Sequence, residues 1–288
     1  MMRYKPMLAY PVSDKPIDYS KPTFIQPKLD GVRCVIQYNE GYGVNGDYGV
    51  KAYSRTGKEW KNIDHILKEL IPFFAEHPNV ILDGELYNHD LRDNFEKIIS
   101  LVRKTKPTPE DRAESAEMVQ FHCYDTIMEH MPYHDRALFL VSNLEVSNSI
   151  KFLKPIGVDC EERAQLYHKN NLGAGYEGSI VRLNDVYQCK RSHNLRKFKD
   201  FHDAEATIIG YLDGKGKREG TLGKFMMQDD DGNEFGCPPG KGYNYKDLKD
   251  MLDNIGDYIG QRATFTYFER TKAGSYRHPL FKCIRDYE

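Results

Sequence analysis

A lysine becomes a nucleophile only where its surroundings disfavour the ammonium form and the backbone presents its amine to a substrate. Lys28 is a candidate for that role, in Pro27-Lys28-Leu29-Asp30-Gly31-Val32-Arg33. It closes a predicted strand, with Asp30 two residues on, Arg33 five on, and Gly31 between them to let the backbone turn tightly. A lysine in a turn is also, commonly, a surface cation. Three further segments bear on the choice: Asp83-Gly84-Glu85, Glu177-Gly178-Ser179-Ile180 and Lys197-Phe198-Lys199. Each sits where a predicted strand ends or passes. An acid beside a glycine is ordinary at turns, so none is informative alone. Taken in order as Lys, Glu, Glu, Lys-x-Lys, they describe a pocket with a nucleophile, metal-binding oxygens and phosphate-binding cations.

The elements that must position these groups can be read from periodicity. Residues 23–26 and 34–38 form strands entering and leaving the lysine turn. The Gly-rich stretch 41–49 lacks phosphate-loop spacing and reads as a hairpin loop. Asn62 is expected to cap a helix carrying Ile63, Ile66, Leu67, Leu70 and Ile71 at helical spacing, ending by Pro72. Residues 79–82 form a buried strand running into Asp83. Phe95, Ile98, Ile99 and Val102 mark a second helix, and the polar stretch 103–117 with two prolines is expected to be a surface loop. Strands follow at 118–124, 150–156 and 176–182, with helices over 136–142 and, capped by Asp159, from there to 167, stopping at Gly173.

After Lys199 the texture changes to short strands (206–211, 222–228, 263–268, and one ending at Arg285) with one helix over 245–255. That pattern suits a small barrel of the oligonucleotide-binding type. The expected division is therefore 1–201 and 202–288. The acidic run 229–231 lacks the spacing of a calcium loop and reads as a solvated hairpin tip.

Composition narrows the class. The chain has 288 residues, 40% hydrophobic and 29% charged, ordinary for a globular protein. Its apolar runs are too short to span a membrane as helices, and its first residues lack the apolar core of a secretory signal, so a cytoplasmic location is expected. The six cysteines (34, 123, 160, 189, 237 and 283) stand singly without a zinc pattern and read as reduced. Net charge is −2, with 13 basic and 15 acidic residues from His202 onward and 28 of each before it. A polyanion would need a local patch of cations. Residues 190–199 provide one, with five Lys or Arg in ten positions.

These segments resemble the motifs of the covalent nucleotidyltransferases, the superfamily of DNA ligases, RNA ligases and mRNA capping enzymes. Lys28-Leu29-Asp30-Gly31-Val32-Arg33 is similar to motif I, K-x-D-G-x-R. Ser54-Arg55-Thr56-Gly57 resembles motif Ia, Asp83-Gly84-Glu85-Leu86 motif III, and Phe121-His122-Cys123-Tyr124-Asp125 motif IIIa. Glu177-Gly178-Ser179-Ile180-Val181 resembles motif IV and Lys197-Phe198-Lys199 motif V. The continuation Asp203-Ala204-Glu205-Ala206-Thr207 resembles the ATP-dependent DNA ligases in particular. So do the loop 214–223 and the ending Arg277-His278-Pro279-Leu280-Phe281.

The resemblance implies an α+β fold: a nucleotidyltransferase (adenylation) domain of antiparallel sheets with flanking helices, followed by an OB-fold β-barrel. It implies a DNA ligase that seals 5′-phosphate/3′-hydroxyl nicks in duplex DNA, using ATP and Mg²⁺ or Mn²⁺, with AMP carried on Lys28. By the same resemblance Glu177 lies near the metal and Glu85 near the ribose and metal, while Arg33 binds the ribose side. Lys197 and Lys199 hold the AMP phosphate. Tyr124 stacks on one adenine face, Ile180 packs the other, and Gln26 lies near the adenine edge. Asp30 and Arg55 are expected at the nucleic acid, Arg55 gripping the 5′-phosphate. The short two-domain form resembles phage, viral and accessory bacterial ligases and is expected to be a monomer. The last family motif, usually R-x-D-K, is reduced to residues 285–288, leaving Arg285 as its one candidate contributor. An RNA ligase, a capping guanylyltransferase and a non-catalytic nucleic-acid-binding protein are the alternatives. The D-A-E-A-T continuation argues against the first two, and the complete set of catalytic residue types against the third.

Overall fold

The computed structural model describes residues 2–39, 49–199, 201–240, 242–270 and 274–285. The hairpin expected at 41–49 lies, Gly49 apart, outside them, as do residues 286–288. The chain divides into two units, Met1–Lys199 and Asp200–Glu288.

The first unit holds strands β1 (Leu8–Pro11), β2 (Thr23–Lys28), β3 (Val32–Tyr38) and β4 (Val50–Tyr53), then helices α1 (Asp64–Glu69) and α2 (Ile71–Glu76). Next come β5 (Ile81–Tyr87), α3 (Phe95–Val102), α4 (Pro109–Met118), β6 (Gln120–Thr126) and α5 (Tyr133–Asn143). The unit ends with β7 (Ile150–Phe152), β8 (Ile156–Val158), α6 (Glu161–Gly173), β9 (Gly178–Leu183) and β10 (Arg191–Phe198). Two five-stranded sheets result, in the orders β1-β10-β9-β2-β8 and β4-β3-β5-β6-β7. Pairing is antiparallel except at two edges, β1 with β10 and β6 with β7.

The sheets stack, because β3 and β5 bury both faces. Ile36 and Leu82 pack outward against the helices with Ile66, Phe74 and Leu101. Val35 and Ile81 pack the other way, with Met7, which precedes β1, and Leu195 of β10. The far side of that first sheet is covered by α6 through Ile25, Val181 and Ala164. The layers therefore run helix, sheet, sheet, helices. One face of the first sheet is left for polar chemistry between the layers.

Several local expectations need correction. The stretch 103–117 contains α4, started by a capping box in which Thr108 accepts from the Asp111 amide and Asp111 accepts from the Thr108 amide. Reciprocal capping of this kind nucleates a helix despite the polar composition. Asn62 does not cap α1; it is buried and donates through Nδ2 to the Leu101 and Asp111 carbonyls at 3.0 and 3.2 Å. The first helix does end before Pro72, at Glu69, but Ile71 belongs to α2, where Pro72 falls in the first turn and its missing N–H costs nothing. Asp159 makes no cap either: the N-cap of α6 is Cys160, and Asp159 pairs with Arg163. The strand expected over 150–156 is two short strands, β7 in one sheet and β8 in the other.

The second unit contains β11 (His202–Asp213), β12 (Leu222–Gln228), β13 (Glu234–Cys237), α7 (Tyr245–Asp253), β14 (Arg262–Tyr267), β15 (Glu269–Arg270), β16 (Tyr276–Arg277) and β17 (Leu280–Ile284). The sheet order is β13-β12-β11-β14-β17. The segment after β13 meets β17, with Phe281 N–H donating to the Pro238 carbonyl and Gly240 N–H to the Phe281 carbonyl, 2.9 Å each. That closes the sheet into a small barrel filled by Ile208, Phe225, Phe265 and Phe281. Asp229 is not the solvated tip expected for it: it is buried and accepts from the Tyr276 hydroxyl at 3.0 Å and the Asn233 amide at 2.8 Å. Among the described residues no helix is long and apolar enough to cross a membrane.

Candidate functional site

Strand alternation assembles the site. On β2, Ile25 faces α6 while Gln26 and Lys28 face the other sheet. On β9, Val181 faces α6 while Ile180 and Arg182 face inward. The register pairs Gln26 with Ile180 and Ile180 with Lys197 of β10, so the three strands present one continuous inner row. From the second sheet, Arg33 lies opposite Glu85, and Glu85 opposite His122. A β-bulge beside Gly84 shifts the pairing, so that Asp83 faces Asp125 and Tyr124 is left between the paired residues.

Between the sheets lies a cavity of about 300 Å³. Of the expected residues, Gln26, Lys28, Arg33, Arg55, Glu85, Tyr124, Ile180, Lys197 and Lys199 line it. Glu177 and Asp30 are not in its wall. Glu177 is nonetheless central, since one carboxylate oxygen accepts from the Lys28 ammonium and the other from Lys199. Asp30 stays at the lysine turn, where its charge acts on Lys199.

Two glycines let these groups meet. A Cβ on Gly31 would lie 2.5 Å from the Leu86 carbonyl oxygen and 2.6 Å from Glu85 Cγ. Gly31 is not in the left-handed region, so close approach to β5, rather than turning, is what demands glycine there. Gly178 has φ +143°, and a Cβ there would strike the Phe198 carbonyl at 2.3 Å. That contact keeps Glu177 against the end of β10.

Electrostatics differ along the cavity. Burial pushes the Glu85 carboxyl up to about 7, against the pull of Arg33, Lys28 and the Tyr124 hydroxyl, which donates to it at 3.1 Å. Burial also lowers the Lys199 ammonium, with Lys28 adding to the effect and Glu177 opposing it. Arg33 is gripped by Asp83 in a two-pronged pair at 2.6 and 2.5 Å, and Asp83 also accepts from the Tyr187 hydroxyl at 2.7 Å. Burial disfavours its charge, but Asp83, with Tyr124 and Tyr187, more than offsets this and raises Arg33 further. The expectation of a ribose contact must accommodate a guanidinium whose Nε–Nη2 edge is already in use on Asp83 and the Met7 carbonyl.

Several wall residues were not singled out beforehand: Arg182, Leu153, Arg191 and Leu195. Arg182 was findable, because period-2 alternation from Ile180 puts it on the same face. Leu153 had no such signal, since it reaches the site only through a connection between two sheets. Asp83 and Asp125 lay inside recognised segments without a role. Both are wholly buried and anchor arginines, Asp83 holding Arg33 while Asp125 holds Arg136 and Arg182.

A lysine pair sharing one carboxylate, a polar cavity between two sheets and a following five-stranded barrel define a nucleotidyltransferase-type fold. Residues 6–199 match the family described as ATP dependent DNA ligase domain, and residues 213–285 match the DNA ligase OB-like domain. The chain belongs to the ATP-dependent DNA ligase family. It is 30% identical over 208 residues to the DNA ligase of an African swine fever virus isolate, covering 69% of this chain and 46% of that one. It thus spans about half the length of those viral relatives. The DNA ligase of Haemophilus influenzae is 26% identical over 282 residues, covering 96% of this chain and 90% of that protein. The fold is similar to that of a solved Lig E DNA ligase, with TM-score 0.77, 22% identity, and coverage of 99% of this chain and 100% of the other.

Proposed function

We propose that this protein is an ATP-dependent DNA ligase that seals nicks in duplex DNA through an AMP group carried on Lys28. The observation that carries the reading is Lys28 at the cavity wall, sharing the Glu177 carboxylate with Lys199. The Lys28 amine attacks the α-phosphorus of ATP, a P–N bond forms, and the P–O bond to pyrophosphate breaks. Catalysis there depends mainly on in-line positioning and neutralisation of charge. Lys197 and Lys199 hold the α-phosphate, while Tyr124 and Ile180, from opposite sheets, enclose the base. AMP then passes to the 5′-phosphate of a nick gripped by Arg55, and the 3′-hydroxyl displaces it. Asp30 supports the same nucleic-acid end, and the protein acts as a monomer on nicked duplex.

A divalent ion fits this donor set. The described residues contain no cluster of three or more metal-ligating side chains, but Mg²⁺ is ordinarily held by one or two carboxylates together with substrate phosphates. Glu85 and Glu177 would hold Mg²⁺ or Mn²⁺, which would neutralise phosphate charge. Ionisation of Glu85 and release of Glu177 from its lysines are what the chain itself must supply.

The test is to incubate the protein with Mg²⁺ and α-labelled ATP or GTP and follow covalent label. Labelling from ATP that is absent in Lys28→Ala supports the reading. Label persisting in Lys28→Ala removes Lys28 as nucleophile, and preference for GTP indicates a capping activity. Sealing of nicked RNA but not nicked DNA would overturn the DNA ligase assignment.

A further inference from the structure

We infer that Arg182 is the residue that sets base selectivity, by fixing which way the Gln26 side-chain amide points. The inference rests on the proposed seating of ATP in the cavity.

Gln26 is 1% exposed and Arg182 3% exposed, and both line the cavity. Arg182 Nε donates to Gln26 Oε1 at 2.7 Å, while Gln26 Nε2 donates to the Leu153 carbonyl oxygen. Exchanging oxygen and nitrogen would set an NH₂ against a guanidinium N–H and a carbonyl against a carbonyl. Each clash leaves buried polar groups unpaired, so the orientation is pinned from both ends. Arg182 cannot itself turn away. Its Nη1 donates to Asp125 Oδ2 at 2.7 Å, and Asp125, wholly buried, is held from the other side by Arg136 Nε at 2.7 Å. Arg136 in turn donates to the Met131 and Asp185 carbonyls at 2.6 and 2.9 Å.

One lone pair on Gln26 Oε1 and one N–H on Nε2 remain for a base, the Leu153 carbonyl being engaged by the other N–H. Their order along the edge is fixed. A base edge with an exocyclic amine beside a bare ring nitrogen, as in adenine, offers a donor and then an acceptor. A lactam edge, as in guanine, offers the reverse order. A glutamine free to rotate could serve both, and one held as here serves the first. Sites that present fixed hydrogen-bonding groups discriminate strongly, because the wrong partner leaves buried groups unpaired. Arg182 is thus a positioning residue. It need not touch the nucleotide to determine which base is accepted.

The experiment measures equilibrium binding of ATP and GTP, and the rate of covalent labelling from each, for the full chain and for Arg182→Met, Arg182→Lys, Gln26→Leu and Gln26→Leu/Arg182→Met. Arg182→Met is expected to lower the ATP-to-GTP preference by roughly tenfold or more, chiefly by improved GTP binding. The double variant should show no further loss of preference beyond Gln26→Leu, since Arg182 acts through that amide. A purely structural role would weaken both nucleotides alike and leave the ratio unchanged, and that result overturns the inference. Arg182→Lys keeps a cation beside Asp125, so the ratio stays measurable if the methionine variant does not fold. An unmodified chain that binds neither nucleotide would instead overturn the seating of ATP itself.

Discussion

At the scale of single residues, most of the site's geometry follows from which atoms are absent. Gly31 has nothing where a side chain would meet the Leu86 carbonyl and Glu85. Gly31→Ala should therefore displace Glu85 or the lysine turn, since backbone at 2.5 Å cannot yield cheaply. The expected outcome is folded protein with covalent labelling from ATP reduced roughly a hundredfold, in line with small misplacements of reacting groups. Single-turnover labelling alongside circular dichroism checks it, and unchanged labelling would contradict the packing argument. Glu177 tests the lysine pair differently. Glu177→Gln keeps its shape but removes the charge shared by Lys28 and Lys199, so labelling should fall steeply while the melting temperature changes little.

At the scale of elements, α4 and β6 each carry a measurable consequence. The capping box of α4 satisfies two amides that the helix cannot, and Thr108→Ala should cost about 1 kcal/mol of stability in a urea titration. The β6 histidine, His122, sits in the row of Arg33 and Glu85. Burial, with Lys151 and His89 nearby, lowers it to about 4 from an ordinary 6.5. The folded chain keeps it neutral, so its contribution is fully present above pH 6.5. As pH falls toward 4 the unfolded chain takes up a proton that the folded chain refuses, and up to roughly 3 kcal/mol is lost. Glu85 has the opposite sign: the fold holds its proton up to about 7, so its ionisation costs stability as pH rises from 4.5. Because the two overlap, the informative quantity is the difference between the parent and His122→Gln. Going from pH 6.5 to 4.5, the urea midpoint of the variant should rise relative to that of the parent, because the loss from His122 is gone and the gain from Glu85 stands unopposed.

At the scale of the whole molecule, the described residues of the first unit form three hydrophobic clusters of their own and those of the second fill a separate barrel. The lining of the cavity lies entirely within the first unit. A fragment of residues 1–199 should fold cooperatively and bind ATP by calorimetry; a fragment with a molten spectrum would contradict the independence of its core. Full-length binding to nicked duplex should weaken linearly in log Kd against log salt, because phosphate contacts release counterions. A salt-independent affinity would remove Arg55 and its companion cations from the interface.

The sequence alone singled out the proposed nucleophile, acids and phosphate-binding lysines, because they stand in local segments whose order is read without tertiary knowledge. It also determined that β2, β9 and β12 would be strands, since alternation and turn residues are local signals. It misread α4, where polar composition outweighed a four-residue capping box; Asn62, whose local cap signal lost to partners 39 and 49 residues away; and Asp159, which pairs with Arg163 inside the helix that Cys160 begins. Only the tertiary structure decided that Gln26 is held by Arg182 and Arg33 by Asp83, that Glu177 serves two lysines at once, and that Asp125 anchors Arg136 and Arg182. The physical reason is that buried polar groups must find partners wherever the fold puts them. Those partners, 50 residues away for Arg33 and Asp83 and 156 for Gln26 and Arg182, belong to register and layer stacking rather than to any window of sequence.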